Sequence, residues 1–494
     1  MNVLSDSMKK DKSVIWAVLV ILFYSAINIV VLIRHEPWED EAQAWLIARD
    51  LNIISIFKQM AYEGSPALWH MLLVPFAKSG LPYISESILH LVIAIAAVTV
   101  FVLYAPFSRL TKLLFIFSYY MAYEYSIIAR SYSLSILLLF LIAALYGCRF
   151  RHPIWYSSLV FLLFNTNVHS FFIAISLTIL FAWELRKNRT EALLSRTALF
   201  IIFMGGLLSF LQLLSPPDNI HYGIVEDVAY LAPFAAMAYA FFPWHTTNFL
   251  SVDLRLIAMV ISFLIFCTII LSLVRKPAAL FILLMSFSGL FYIFAFKYTG
   301  APRHYGLILI MVFFSFWISN YYGNSEKIFL NITSKINFSR ISMVIINACL
   351  TVSLLYCLEI QYLEYRYDFS GSKETADFIS KNHLDILTIV AHRSIGTLAL
   401  LPYLPGKKFW YADIENYGTF ITYNRRYLAG RDISNAQVIS RADKAFPDKS
   451  KILLLLTTPL DIQESSGFKL LYKVDEVFGY GKEKFYLYKS ITGN

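Results

Sequence analysis

The sequence predicts a polytopic α-helical membrane protein that ends in a small external α/β domain. Of its 494 residues, 58% are hydrophobic and only 15% are charged, and the mean hydropathy is +0.59, which is far more apolar than a soluble globular chain. The apolar residues gather into runs of roughly 20, the length that an α-helix needs to cross a bilayer. From about residue 363 the composition becomes that of a soluble domain, so two domains are expected, 1–362 and 363–494.

The basic residues indicate the orientation of the apolar runs. The formal net charge is +9, but Lys and Arg lie in small clusters between the runs rather than on one face, so they are interpreted as topology signals and no nucleic-acid partner is expected. Lys9, Lys10 and Lys12 place the N-terminus in the cytoplasm. No small-residue cleavage site follows the first run, which is therefore predicted to be a retained helix.

Eleven membrane spans are predicted. The first covers 14–34 and leads to an external loop at 35–66, and the apolar segment 67–78 is too short to cross. The other spans are placed at 84–106, 112–127, 133–148, two short spans within 153–184, 196–214, 255–274, 278–296, 304–322 and 341–361. With this number of crossings every basic cluster faces the cytoplasm, and the C-terminus is external.

The loop at 35–66 carries the densest group of ionisable residues beside a span, namely His35, Glu36, Glu39, Asp40 and Glu41. Asp40 is predicted to be the N-cap of an amphipathic helix, with Gln43 at the capping-box position. The apolar stripe of that helix would consist of Ala42, Trp45 and Leu46. Ser55 is predicted to cap a second amphipathic helix.

The C-terminal residues alternate between helical and extended patterns, which indicates a small α/β layer. Helices are predicted at 372–382 and 394–401, strands at 387–392 and 451–457, and a hairpin about 479–481. No glycine-rich phosphate fingerprint follows the strands, so no nucleotide is assigned.

On this topology, ionisable residues from distant parts of the chain share the outer face: Glu39, Asp40, Glu41, Glu124, Arg130, His169, Lys297, Arg303 and His304. A carboxylate there can take a proton from an incoming hydroxyl, and cationic groups can hold a lipid phosphate that leaves. Charges near a bilayer are costly unless they are paired or used, so a functional site is expected. His169 is interpreted as a turn residue with its hydrogen bonds satisfied, and Arg130 is equally compatible with an ion pair to Glu124.

Four stretches in order carry a resemblance: DEAQAWLIARD after the first span, then EGSPALWHMLL, ARSYSL and a late PRHYG. This order resembles the GT-C class of membrane glycosyltransferases, particularly the bacterial family 39 enzymes related to protein O-mannosyltransferases and aminoarabinose transferases. The external α/β tail also fits the plan of that family. Ser65-Pro66-Ala67 stands where family members commonly show His-Pro-Pro.

The resemblance implies inverting transfer of a hexosyl or pentosyl group from a polyprenyl-phosphate donor to an envelope acceptor (a glycan, lipid or protein) on the outer face of the cytoplasmic membrane. Asp40 would be the general base, with Glu41 beside it. The candidates for binding the donor phosphate are Arg303, His304, Arg130 and Lys297. Glu124 is the candidate second acid, although it precedes Arg130 rather than lying within the motif.

Two other functions stay open. A flippase or transporter of lipid-linked glycans would place ionisable groups near the bilayer midplane and show inverted repeats. A non-catalytic subunit of an envelope polysaccharide complex would lack convergent carboxylates and cations. The cofactor is also left open, since His35 with Glu39 or Asp40 offers imidazole and oxygen ligands for a divalent cation but no ligand spacing demands one.

Overall fold

The computed structural model describes residues 2–186, 192–219, 228–244, 252–325, 337–461, 467–479 and 483–491. The chain forms two compact units. The helical unit comprises Met1–Val30, His90–Leu213 and Tyr222–Ile360, and the sheet-containing unit comprises Val31–Leu89, Leu214–His221 and Gln361–Asn494. The unit that contains the C-terminal residues thus also contains the loop that follows the first span. The side chains of Lys9, Lys10 and Lys12 lie outside this description.

The chain is a multi-pass membrane protein by the length and composition of its helices. Within the described residues, nine helices are long and apolar enough to cross a membrane, which confirms the predicted fold class. The helices up to residue 366 are α1 (Asn2–Arg34), α2 (Glu39–Asp50), α3 (Ile53–Glu63), α4 (Leu68–Lys78), α5 (Ile84–Tyr104), α6 (Arg109–Ile116), α7 (Ser131–Leu145), α8 (Pro153–Phe164), α9 (Val168–Leu185), α10 (Ala192–Gln212), α11 (Ala232–Phe241), α12 (Val252–Leu273), α13 (Pro277–Phe296), α14 (Pro302–Ser319) and α15 (Phe338–Arg366).

Two predicted spans fall short of a bilayer crossing, which accounts for the difference between eleven and nine. In the run 112–127, α6 ends at Ile116 and a π-helical turn follows at Tyr120–Glu124. At this break the backbone N–H of Tyr119 donates to Ser353 Oγ at 3.1 Å. In the run 153–184, α8 has 12 residues, about 18 Å at the helical rise.

The loop after α1 folds into short helices, as predicted, but their caps differ. The N-cap of α2 is Trp38, whose backbone N–H donates to Glu41 at 3.1 Å, so Asp40 is the second helical residue and not the cap. At α3 the cap is Asn52 rather than Ser55, because the Asn52 side chain accepts the N–H of Ser55 at 2.9 Å. The apolar stripe is confirmed, since Ala42, Trp45 and Leu46 are all buried.

Gln43 does not close a capping box but joins distant parts of the sheet-containing unit. Its side-chain amide donates to Glu63 at 2.9 Å and to the Ile421 carbonyl at 2.7 Å, and its oxygen accepts the Ile421 N–H at 3.0 Å. Gln59 on α3 donates to the same carbonyl at 3.0 Å. The amides of α2 and α3 therefore fix both helices to the segment around Ile421.

The C-terminal residues form the predicted α/β layer. Its helices are α16 (Ser372–Lys381), α17 (Ser394–Thr397, continued by a 3-10 turn), α18 (Arg425–Arg431) and α19 (Asn435–Ala445), and its strands are β1 (Thr388–Ala391), β2 (Phe409–Tyr411), β3 (Asn416–Gly418), β4 (Ile452–Leu456), β5 (Phe468–Lys473) and β6 (Tyr486–Ser490). The strand order is β3-β2-β1-β4-β6-β5. β5 and β6 pair antiparallel, and residues 480–482 of the predicted hairpin turn lie outside the described part of the chain.

β1 lies at the centre of the parallel part of the sheet. It pairs in parallel with β2 and with β4, where Val390 is level with Trp410 and Leu454. All five residues of β4 are buried, as expected for a strand that is covered on both faces. On one face Val438 and Ala442 of α19 pack against Val390 and its neighbours.

Candidate functional site

A buried ion-pair network holds the acidic turn before α2. The ring of His35 lies between two carboxylates, with Nε2 3.2 Å from Glu41 and Nδ1 3.0 Å from Glu364. All three side chains are buried, and Phe369 packs on the imidazole at 4.9 Å between ring centroids. Because Glu41 also accepts the Trp38 N–H, its carboxylate takes part in the scaffold of the turn.

The charge of His35 follows from these two carboxylates. Burial on its own lowers the pKa of His35, but Glu364 and then Glu41 outweigh it and raise the pKa to about 10. His35 is therefore an imidazolium at neutral pH. Since the folded pKa lies above the unfolded one, the stabilisation is complete below the unfolded pKa of about 6.5 and is lost as the pH rises through the folded value.

We expect Glu364→Gln to destabilise the protein by about 3 kcal/mol at neutral pH, because loss of one partner of a buried pair leaves a charge without compensation. The measurement is thermal or denaturant unfolding in detergent. The difference from wild type should shrink when the pH exceeds the His35 pKa of about 10. Glu359→Gln, an exposed change on the same helix, is the control. An equal loss in both variants, or a difference that does not depend on pH, would contradict the assignment.

The other acids of the turn have distinct environments. Burial and then the charge of Asp368 raise the pKa of Glu36 to about 8, so Glu36 is mostly protonated at neutral pH. The backbone N–H of Glu39 donates to Glu483 at 2.8 Å, and burial followed by the charge of Glu39 raises the pKa of Glu483 well above its usual range. Asp40 is half-buried in the first turn of α2, where the helix dipole favours a negative charge.

A second polar cluster lies in the helical unit, around the start of α14. The N–H of Ala301 donates to His304 Nδ1 at 2.8 Å. The rings of His304 and His169 stack with centroids 4.4 Å apart and planes 17° from parallel. The guanidinium groups of Arg303 and Arg130 are both close enough to His304 to interact with it electrostatically. Three of the predicted phosphate ligands, Arg130, Arg303 and His304, therefore lie in one neighbourhood.

The first turn of α9 adds buried polar groups to this cluster. Within the described residues, no hydrogen bond reaches either ring nitrogen of His169, Asn167 Nδ2 or Ser170 Oγ. All three residues are at most 4% exposed, and the charge of Arg303 acts on His169. Buried polar groups are normally satisfied, so the interpretation of His169 as a satisfied turn residue is wrong. A helix N-terminus with spare donors beside guanidinium groups is suited to an anion.

Glu124 ends a π-helical turn that is joined to the cluster around Arg303. Its carboxylate accepts the Tyr119 hydroxyl at 2.6 Å, and the next residue, Tyr125, donates its hydroxyl to the Arg303 carbonyl at 2.8 Å. Single π-turns are frequent at functional sites. Lys297 ends α13, and its neighbour Tyr298 packs edge-on against His304 at 5.3 Å.

Among the described residues, no group of three or more His, Cys, Asp and Glu side chains is arranged to hold a metal ion. The combination of His35 with Glu39 or Asp40 is not what forms, since both ring nitrogens of His35 face Glu41 and Glu364.

Several residues of these clusters were not singled out in the sequence. Glu364 and Glu483 lie 329 and 444 positions from the residues that they contact in the acidic turn, and only the fold brings them there. Asn167 and Ser170 are visible as a cap pattern, since Asn167 Oδ1 accepts the Ser170 N–H at 2.9 Å. That pattern indicates a helix start but not its unused side-chain donors.

Comparisons with known proteins give one structural likeness. No protein-family model matches the chain, and no curated protein matches it in sequence. The chain is similar to the crystal structure of ArnT from Cupriavidus metallidurans bound to undecaprenyl phosphate, with a TM-score of 0.49 and 11% sequence identity. The likeness covers 97% of this chain and 98% of that one.

Proposed function

We propose that this chain is a GT-C membrane glycosyltransferase that moves a sugar from a polyprenyl-phosphate donor to a hydroxyl of an envelope acceptor. The observation that carries the proposal is a polar cluster of the helical unit, in which the half-buried Arg130 and Arg303 lie beside the buried His169 and His304. Arg130 and Arg303 act on the stacked histidines, and the first turn of α9 adds hydrogen-bonding groups without partners among the described residues. Ionisable groups gathered within a membrane protein are by default a candidate functional site, and guanidinium groups beside helix N-terminal donors suit an anion.

The proposed donor supplies that anion. The guanidinium groups of Arg303 and Arg130 bind the phosphate, and His304, His169 and Ser170 add hydrogen bonds. As the bond between the anomeric carbon and the phosphate oxygen breaks, the electron pair stays on the departing polyprenyl phosphate. The same cationic groups stabilise this developing charge. Lys297 is a further candidate, and Glu124 is the candidate second acid.

Asp40 is the proposed general base. The acceptor hydroxyl forms the new bond to the anomeric carbon from the face opposite the leaving phosphate, which inverts that centre, and its proton passes to the Asp40 carboxylate. Glu36 is unsuited to this role because it is mostly protonated at neutral pH. Glu41, the other predicted catalytic residue, has its carboxylate between the Trp38 N–H and His35, so we assign it to positioning α2.

We place the reaction on the outer face of the cytoplasmic membrane, where the sequence predicts that the acidic loop and residues 363–494 lie. The test uses purified protein in nanodiscs, a polyprenyl phosphate carrying a radiolabelled sugar, and envelope membranes from cells that lack this chain. Transfer of label from the lipid into the envelope fraction is expected. If the label stays on the lipid with every envelope fraction, the proposal fails.

We expect His169→Phe to weaken binding of the donor about fivefold, the value of one neutral hydrogen bond of about 1 kcal/mol. Phenylalanine keeps the stacking on His304 but offers no ring nitrogen. Stability should stay equal or rise, since neither nitrogen has a partner among the described residues. The measurements are equilibrium binding of labelled polyprenyl phosphate and thermal unfolding. Unchanged affinity would remove His169 from the phosphate site.

A further inference from the structure

We propose that the sheet-containing unit holds a binding site for a hydroxylated, glycan-like acceptor at the carboxyl ends of β1 and β4. This inference rests on the proposed function for the identity of its occupant. The site, here called the sheet-edge crevice, is formed by the 392–396 turn after β1, Asp413 after β2 and Thr457 after β4.

The topology of the sheet favours this edge. From β1 the chain goes on to β2, its neighbour on one side, whereas β4 pairs with β1 on the other side. After β4 the chain moves away to β5 and β6, beyond β4. The connections that leave β1 and β4 therefore diverge. In open α/β sheets such a divergence leaves a crevice outside the carboxyl ends of the strands, and ligands bind there.

Hydrogen bonds hold the crevice in shape. One oxygen of Asp413, Oδ2, accepts the Ser394 hydroxyl at 2.6 Å and the Ser394 N–H at 3.0 Å. Arg441 donates to the carbonyls of Ala412 at 2.7 Å and Asp413 at 3.2 Å. The turns after β1 and β2 are thus joined to each other and to α19, so the crevice is preorganised.

Polar groups in the crevice are left for a ligand. Over the part of the chain that the structure describes, Asp413 Oδ1 and Thr457 Oγ1 form no hydrogen bond, although Asp413 is only 3% exposed. Buried polar atoms without partners call for an explanation, and a bound molecule is one. Arg393, exposed at the same turn, has a φ of 53°, a strained conformation for a residue with a side chain and one that is found most often at functional sites.

The chemistry of these groups fits hydroxyls better than an anion. Asp413 and Glu39 accept hydrogen bonds, Thr457 can donate or accept, and the Arg393 guanidinium donates. Burial, against the opposing charge of Asp413, lowers the pKa of His392, so its ring is neutral at pH 7 and offers one donor and one acceptor. Two carboxylates would repel a second phosphate. A molecule rich in hydroxyls can satisfy every group.

The crevice opens beside the acidic turn. A Cβ on Gly396 would lie 3.6 Å from Thr457 Cγ2 and 3.8 Å from Glu39 Oε2, so Gly396 lies between the residue after β4 and the start of α2, with ordinary contact room for one added carbon. Burial, followed by the charges of Asp413 and Glu39, raises the pKa of Tyr427, so both carboxylates lie near its hydroxyl. Asp40 follows Glu39 in the same helical turn. An acceptor in the crevice would therefore have a hydroxyl near the proposed base.

The test measures the binding of oligosaccharides that mild acid releases from the cell envelope. Saturation-transfer NMR with the full chain in nanodiscs detects the binding. Gly396→Leu puts a bulky side chain between Thr457 and Glu39 and should weaken binding about tenfold or more. Gly396→Ala is the matched control, because its Cβ meets its neighbours at ordinary contact distances and should change binding less than twofold. Thermal unfolding of each variant reports its folding.

Thr457→Val is a second variant, which tests the same site if Gly396→Leu does not fold. It removes a hydroxyl that has no partner among the described residues, so stability should not fall while oligosaccharide binding weakens. Asp40→Asn should bind the oligosaccharides normally even though transfer is lost, which separates this inference from the proposed function. Absence of binding to the wild type, or equal binding by wild type, Gly396→Leu and Thr457→Val, would overturn the inference.

Discussion

Asp40→Asn is expected to lower the rate of sugar transfer by about 10²–10⁴-fold, the usual contribution of a positioned general base. The change keeps the shape of the side chain and its place in the first turn of α2, but an amide cannot take the proton of the acceptor hydroxyl. Binding of the polyprenyl-phosphate donor should stay within about twofold, because the proposed phosphate ligands are elsewhere in the chain. The measurement is single-turnover transfer with saturating donor.

The matched control for this prediction is Asp50→Asn at the other end of α2. Asp50 pairs with Arg49 at 2.7 Å near the surface, and exposed pairs of this kind contribute about 0–1 kcal/mol. Its transfer rate should therefore match that of the wild type. Equal rates for Asp40→Asn and wild type would remove Asp40 as the base, whereas equal losses in both variants would indicate a general disturbance of α2.

Arg303→Gln should weaken binding of polyprenyl phosphate by about 10–10²-fold, since a hydrogen bond to a charged group contributes about 1.5–3 kcal/mol. Arg303 interacts electrostatically with both stacked histidines, and its carbonyl accepts a hydrogen bond from the Tyr125 hydroxyl. Glutamine keeps a donor but loses the charge and the forked geometry that matches phosphate. Transfer should fall as well, because the same group stabilises the leaving phosphate.

Arg255→Gln is the control for Arg303, because Arg255 is exposed on α12 and should leave lipid binding unchanged. Equilibrium binding of radiolabelled polyprenyl phosphate in nanodiscs measures both variants. If Arg303→Gln binds the lipid as tightly as wild type does, the cationic cluster does not hold the phosphate, and the donor site must be sought in another part of the helical unit.

The sequence predicts the architecture well where the signal is local. Apolar runs near 20 residues long identify the long helices, and the strand pattern at 451–457 predicts β4 closely. The run 112–127 shows where this reasoning ends. It is apolar enough to be predicted as a span, but the helix ends at Ile116, and near the break the backbone N–H of Tyr119 donates to Ser353, 234 positions away. No local pattern contains that partner.

The candidate site divides in the same way. The acids at 36–41 are visible as a cluster, yet their differences depend on the fold. Glu364 helps to fix the charge of His35, and burial followed by the charge of Asp368 raises the pKa of Glu36. Arg303 and His304 follow each other in the sequence, but the stacking of His169 on His304 joins α9 to α14. Residue type predicts which groups can do the chemistry, and the fold determines which of them are available for it.

The most direct test of the central claim is the fate of the bond between sugar and phosphate. Purified wild-type protein would receive a polyprenyl phosphate carrying a labelled sugar of known anomeric configuration, together with envelope acceptor. We predict that one polyprenyl phosphate is released for each sugar transferred, that the product has the inverted configuration, and that Asp40→Asn slows both release and transfer by about 10²–10⁴-fold. Movement of the intact lipid-linked sugar across the bilayer, with no cleavage and no effect of Asp40→Asn, would contradict the account.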